Sequence, residues 1–420
     1  MRWRTLLRTS SATALLPFLL AYVVVLLGEG MTRFITPHYG PAVIGRIVLA
    51  LAPAAAACAA GGAWEAARLR RGRVQEQAPV RSPLAIAASV LLPVWGMGLA
   101  GLAAALVLTS HAAGALPALS HLGMLAALAG VLAASSLWGY LLGRVVPGIA
   151  AAPIAMVVGF CAVGFPVSFD PPWLRHLVGQ AYDGCCEVGT VIDPAAVWSP
   201  LVFAAGLCAA GVVVIQSVGR APRALAVGIA VVASVAAFLP VRDMGYNPFM
   251  ARDSSELVCD TDGTPKICLW PETPDRDGVG KLVRARTVRL QQAGLPVADT
   301  FSAVPHPGEA AFGSTGQVRP DNIPLRIANT FMPGIPECAR TTGKYPASPA
   351  RSPLDGWLTA TAEGTVPPPA PGRFSAEDLA VVRQVLARPR ADQLDWYEAN
   401  RKALSGCTEP PRLDVPGAAR

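Results

Sequence analysis

The chain has 420 residues, of which 52% are apolar, a mean hydropathy of +0.42 and a formal net charge of +7. An apolar share above the roughly 45–50% of soluble proteins excludes an ordinary water-soluble globule and points to an integral membrane protein. Residues 1–240 hold fourteen arginines, no lysine and seven acids, whereas 241–420 hold equal numbers of each sign. Arginines at the edges of apolar runs orient helices at a lipid surface, so the basic excess does not imply a nucleic-acid partner.

The first apolar run, about 12–27, follows Arg2, Arg4 and Arg8. It ends at Gly28-Glu29-Gly30-Met31, which offers no small-x-small cleavage site, so a retained first span is expected rather than a signal peptide. The second run covers about 41–64 and the third about 84–109. Between them lies a segment with Arg68, Arg70, Arg71, Arg73 and Arg81, which the positive-inside rule assigns to the cytoplasm. The fourth (122–143) and fifth (145–165) runs form a hairpin around Arg144. The polar loop 166–200 has Arg175 as its single Lys or Arg and belongs outside. The sixth (201–217) and seventh (224–240) runs flank Arg220 and Arg223. This arrangement puts eleven of the fourteen arginines inside. The expectation is an all-α polytopic bundle of about seven transmembrane helices over 1–240, multi-pass in the plasma membrane, with a cytoplasmic N-terminus. Residues 241–420 then form a small α+β extracytoplasmic domain.

Cysteine placement agrees with that topology. Cys58, Cys161 and Cys208 lie inside apolar runs, whereas Cys185, Cys186, Cys259, Cys268, Cys338 and Cys407 all fall in segments assigned outside. An even number confined to the oxidising side reads as disulfides. A zinc site is disfavoured, since there is no Cys-x-x-Cys pair, and no metal or cofactor is expected. A hairpin over 258–270 sets Cys259 opposite Cys268, and Cys407, directly after a last helix, is placed to reach Cys338. Cys185 and Cys186 bridge each other or pair separately with the outer domain.

No Asp, Glu, Lys or Arg stands near the middle of any run, which disfavours a proton- or ion-coupled carrier. Small residues such as Gly96, Ala100 and Ala104, and the pair Gly139 and Gly143, permit close helix packing within the chain or against a second copy. In the outer domain a basic helix is expected over 281–295. Gly- and Pro-rich loops and short strands are expected over 303–371, and a helix capped by Ser375 and Asp378 after them. Gly278-Val279-Gly280-Lys281 lacks the first glycine and the Ser or Thr of a phosphate loop. Neither a metalloprotease nor a serine-hydrolase motif is present, so no enzyme activity is expected. His306 reads as a loop residue, and Asp260 with Asp262 are too few carboxylates for a calcium loop.

Ile267-Cys268-Leu269-Trp270-Pro271-Glu272, together with Trp396-Tyr397 in a last helix running into Cys407, resembles uncharacterised actinobacterial membrane proteins described as ABC-type exporter permease subunits. The resemblance implies a dimeric pore half driven by a separate cytoplasmic ATPase, which docks on the loop carrying Arg68, Arg70, Arg71 and Arg73. A membrane-anchored extracytoplasmic binding or sensing protein is the competing expectation. The topology makes a direct prediction. A reporter active only in the cytoplasm works when fused after Arg73 and is silent after Arg252, and activity at Arg252 would remove one span from the count.

Overall fold

Alanine and glycine dominate residues 51–67, and the packing of the N-terminal half follows from that composition. The structure is a computed structural model that describes residues 10–32, 35–73, 81–216, 219–312 and 322–414. Arg2, Arg4, Arg8, Arg33, Ser217, the segment 74–80 and Gly313 lie outside the described residues. The chain divides into two compact units, Met1–Arg252 and Asp253–Arg420.

In the first unit a helix α1 (Ser11–Leu26) is followed by six helices long and apolar enough to cross a membrane, judged by length and composition. These are α2 (Gly40–Arg71), α3 (Pro83–Ala113), α4 (Leu119–Val145), α5 (Gly148–Ser168), α6 (Pro194–Gln216) and α7 (Arg220–Phe238). The 16 residues of α1 rise only about 24 Å, against a hydrocarbon core of about 30 Å.

The helix ends have local causes. Ser82 caps α3 by accepting from the Ala85 amide at 3.2 Å, with Pro83 at the first helical position. Gly114, at φ +65°, closes that helix in the left-handed conformation. Pro147 lacks an amide proton and separates α4 from α5. Helix α6 starts at Pro194, ahead of the expected 201, because the Asp193 carboxylate accepts from the Ala195 amide at 2.8 Å.

Between helices in lipid there is little hydrophobic drive, so association rests on close packing. Helix α2 is the most enclosed of the six and lies between α4 and α5. Gly139 and Gly143 of α4 sit directly on the backbone of Ala59 and Ala63, where any Cβ would overlap a carbonyl oxygen. Gly62 of α2 returns the contact against the Ser136 carbonyl and the Tyr140 amide. On the other side, a Cβ at Gly159 of α5 would come within 2.8 Å of the Ala59 methyl. In α3 the close contacts fall on Gly98, against Cys58, and Gly101, against Leu19. Gly96 is exposed and has no neighbour within 4 Å, so the expected stripe through Gly96 is displaced by two residues.

Beyond these helices, strand β1 (Thr190–Ile192) pairs antiparallel with β2 (Phe249–Ala251), which keeps residues 241–252 with the first unit. Cys185 and Cys186 are bonded to each other, and Gly45 of α2 lies against the Cys185 carbonyl.

The second unit is built on a four-stranded sheet of β3 (Val258–Asp260), β4 (Lys266–Leu269), β5 (Thr300–Ser302) and β6 (Ala310–Ala311), in that order. β3 and β4 are antiparallel with Cys259 opposite Cys268, and these two are disulfide-bonded. β4 and β5 are parallel, as a crossover through a helix requires, and α8 (Arg276–Gln292) supplies it. Five helices follow: α9 (Ile323–Thr330), α10 (Glu337–Thr342), α11 (Arg351–Glu363), α12 (Ala376–Leu386) and α13 (Arg390–Leu404).

Three of these helices, α9 to α11, occupy the segment expected to be loops and short strands. Leu354, Trp357, Leu358 and Thr361 fall at i, i+3, i+4 and i+7 and are all buried in α11. Pro353 is tolerated there because it lies in the first turn. Trp357 is fully buried, stacked on Tyr397 at 5.4 Å and edge-on to Trp396 at 6.4 Å, and its indole donates to Gln393 Oε1 at 3.1 Å. Ser375 and Asp378 exchange capping hydrogen bonds at the start of α12.

Gly139→Leu should cost at least the ~1–3 kcal/mol of overpacking and lower the thermal midpoint measured in detergent, whereas Gly96→Leu stays within about 0.5 kcal/mol of wild type. The disulfides give a second ordering. The Cys338–Cys407 bond closes a separation of 69 and Cys259–Cys268 one of 9. Chain entropy assigns them roughly 4 and somewhat under 3 kcal/mol. Limited proteolysis of Cys407→Ser should therefore release α13 sooner than in Cys268→Ser, and equal rates would contradict the ordering.

Candidate functional site

The arginines expected on a docking loop stand on the last turns of α2 or just past them, since no Gly or Pro stands between Gly62 and Gly72. Glu65, four residues into this stretch from Gly61, is completely buried. Its Oε1 accepts from the Ser11 amide at 2.7 Å, and its Oε2 lies 2.7 Å from Arg68 Nη2. A carboxylate therefore faces the positive end of α1 and is neutralised on its other side by a guanidinium. Ser11 Oγ adds a bond to the Gly61 carbonyl at 3.3 Å.

Arg70 donates to the carbonyls of Arg144 and Val146, which end α4 without partners of their own in the helix. The Arg71 guanidinium lies 5.9 Å from the Trp64 ring centroid. Arg73 is exposed, at φ +46°. All four arginines thus interact within the chain. The i, i+3 spacing of Glu65 and Arg68 is the sequence signal for the first of these; nothing local signals the Ser11 amide.

A groove of about 600 Å³ opens between α5 and α6. Its floor is α4 from Val131 to Val145, a rise of about 21 Å at 1.5 Å per residue. Its walls are Val158 and Ala162 of α5 and Phe203 and Leu207 of α6. The short helix Trp173–Leu177 closes one end with Leu174 and Leu177. No Asp, Glu, Lys, Arg or His lines it, and the one hydroxyl, Ser135, donates to the Val131 carbonyl at 2.8 Å. Apart from Ser135 and the Trp138 indole N–H the lining is apolar, so the groove can hold an apolar group and carries no acid or base to move a proton.

The same short helix carries Arg175 and His176, both fully buried in spite of their place in a polar loop. Arg175 Nη2 donates to the Gln180 carbonyl at 2.8 Å, and its guanidinium lies 3.6 Å from the Tyr246 ring centroid. His176 Nε2 donates to the Gly245 carbonyl at 3.0 Å. Burial lowers the His176 pKa, the Gly245 hydrogen bond partly opposes that, and the charge on Arg175 lowers it again. The sequence gives no sign of this burial, because the aromatic partner of Arg175 is distant in the chain.

In the second unit the candidate motifs have structural roles. Gly278, Gly280 and Lys281 lie inside α8, whose N-terminal donor at Gly278 is taken by the Asp275 carboxylate at 3.2 Å. Asp260 pairs with Arg284 at 2.8 Å, and hydrogen bonds from Arg284 and the Asp262 amide lower its pKa. Among the described residues no group of three or more His, Cys, Asp or Glu could hold a metal ion. The His306 amide donates to Glu309 Oε2 at 2.9 Å within a loop. The Tyr397 hydroxyl donates to the Phe331 carbonyl at 3.0 Å, and burial pushes its pKa up to about 12.

A family model described as a domain of unknown function, DUF7224, matches residues 267–407. The match begins in β4 and ends at the disulfide-bonded Cys407, within the second unit. Comparison with curated proteins and with solved structures returned no match.

His176 yields a prediction of defined sign. Its folded pKa lies below its unfolded value, so its stability is fully present above the ordinary imidazole range and is lost as pH falls through it. The thermal midpoint in detergent should decrease between about pH 7.5 and 5.5, by no more than about 1.4 kcal/mol per pH unit from this group. His176→Asn should flatten the slope, and an unchanged slope would contradict the assignment.

Proposed function

We propose that the chain is the membrane-embedded, permease-like subunit of a bacterial ABC-type transporter or exporter, energised by a separate cytoplasmic ATPase. The observation that carries this reading is the groove beside α4, whose lining is almost entirely apolar and comes mostly from the candidate spans. A path of this chemistry suits an apolar or amphipathic molecule and offers no titratable group for coupling to an ion gradient. The chain's nearest approach to a phosphate loop is a helix start occupied by Asp275, so the energy source belongs to another subunit.

In this reading α1 is the first of seven spans, accommodated by local thinning of the bilayer. The N-terminus is then cytoplasmic and the second unit extracytoplasmic in the plasma membrane. The disulfides of that unit are consistent with an oxidising compartment. Arg68, Arg70, Arg71 and Arg73, on the last turns of α2 and just past them, are assigned to the ATPase contact. If the subunit forms a homodimer, the contact does not use Gly139 and Gly143, whose faces are occupied by α2.

A second reading is a membrane-anchored extracytoplasmic binding or sensing protein without transport activity. It is favoured by the confinement of the family-model match to the second unit. Purification from native membranes in mild detergent separates the two. The permease reading predicts recovery of an ATPase subunit with the chain and at least a tenfold loss of that subunit in Arg73→Glu. Recovery of the chain alone at native expression would favour the sensor.

A further inference from the structure

We infer that residues 241–252, which end the first unit, form an acid-released clasp: two neutral histidines, His121 and His176, keep them docked on the rest of that unit, and protonation of both lets them go. The inference rests on contacts within the first unit and does not depend on the transport reading or on an ATPase partner. The clasp is docked at both ends. At its start Val241 packs with Leu177 and Ala237, His176 Nε2 donates to the Gly245 carbonyl at 3.0 Å, and the Arg175 guanidinium lies 3.6 Å from the Tyr246 ring centroid. At its far end β2 pairs with β1, the Arg252 amide donates to the Gly189 carbonyl at 2.9 Å, and Arg252 Nη1 donates to the Val188 carbonyl at 3.3 Å. The Arg252 guanidinium also stands 5.3 Å from the ring centroid of Tyr39, whose hydroxyl donates to the Thr190 carbonyl of β1 at 2.6 Å.

Hydrogen bonding requires both histidines to be neutral. His121 Nδ1 accepts from the Ala118 amide at 3.1 Å, which a protonated imidazole cannot do. The same nitrogen lies 3.4 Å from where a Cβ at Gly40 would stand, and the ring lies within the field of Arg252. The other histidine of this end, His38, lies against Gly114 instead. His176 already spends its Nε2 proton on Gly245, so acid adds the second proton at Nδ1, which is buried and has no acceptor among the described residues. Beside it stands the buried Arg175, on which Asp183 acts only at longer range. Each end of the clasp thus sets a histidine next to an arginine that contacts the segment or belongs to it, and a second positive charge in either pair opposes docking. The sign at His176 agrees: its folded pKa is depressed, so docking is complete above the ordinary imidazole range and is lost as pH falls through it. The chain runs on from Arg252 into the second unit at Asp253, so release adds up to about twelve residues of tether between the units.

The test is hydrogen–deuterium exchange of the full-length chain in detergent at pH 7.5 and 5.5, corrected for the intrinsic pH dependence of amide exchange. With an ordinary imidazole pKa of about 6.5 in the released segment, each histidine can raise the opening of the clasp by at most about tenfold over this interval. Amides of 249–252 should therefore lose protection by about 10- to 100-fold in the wild type, while those of α11 in the second unit and of α2 change less than about twofold. Glutamine can accept from the Ala118 amide and donate to the Gly245 carbonyl without titrating. The double variant His121→Gln with His176→Gln should stay docked at both pH values, and each single variant should keep a response of about tenfold or less. Less than about twofold change at 249–252 in the wild type would overturn the inference. So would an equal loss of protection in α2, which is general acid unfolding, or a wild-type pH response in the double variant or in both single variants.

Discussion

The packing of the first unit depends on how closely other helices can approach the alanine and glycine surface of α2. In a bilayer, apolar side chains are as well solvated by lipid as by each other, so bulk hydrophobicity does not choose a neighbour. Backbone approach does. Gly139 and Gly143 bring α4 down onto Ala59 and Ala63, and Gly159 and Gly164 bring α5 onto the opposite side. With both neighbours fixed to one helix, α5 cannot close over the rest of α4, and the groove is the space that remains.

Charge is handled at one end of that core. Glu65 is the one acid completely buried among the described residues of the first unit, and every oxygen has a use. A lone carboxylate in such a place would carry a desolvation penalty of several kcal/mol, which the Ser11 amide and Arg68 offset together. Arg70 does comparable work at the carbonyl end of α4. The arginines of α2 therefore neutralise a buried carboxylate and close the end of a neighbouring helix.

Much of this organisation is legible in the sequence because its causes are local. The apolar runs mark the helices, and Ser82-Pro83 and Ser375 with Asp378 mark helix starts. Cys259 and Cys268 bracket a loop whose length brings them into register. Asp193-Pro194 carries the same kind of start signal for α6, and reading hydropathy alone passes over it. The helix α11 is hidden by the prolines around it, although Leu354, Trp357, Leu358 and Thr361 keep its period. The groove is not legible at all. It depends on which faces of α4, α5 and α6 are left uncovered, and that is settled by contacts between residues tens of positions apart. The burial of Arg175 against Tyr246 is hidden for the same reason.

The central claim, that α5 runs antiparallel along α2 over its whole length, is tested most directly by paired cysteines at both ends of the contact. The Ala67 methyl lies 3.9 Å from where a Cβ at Gly148 would stand, and the Ala52 methyl 3.3 Å from a Cβ at Gly164, within or near the range that a disulfide bridges. With Cys58, Cys161 and Cys208 replaced by alanine, both pairs should form cross-links within a single chain in native membranes under mild oxidation. Cross-links between two copies, or at one end alone, would contradict the account.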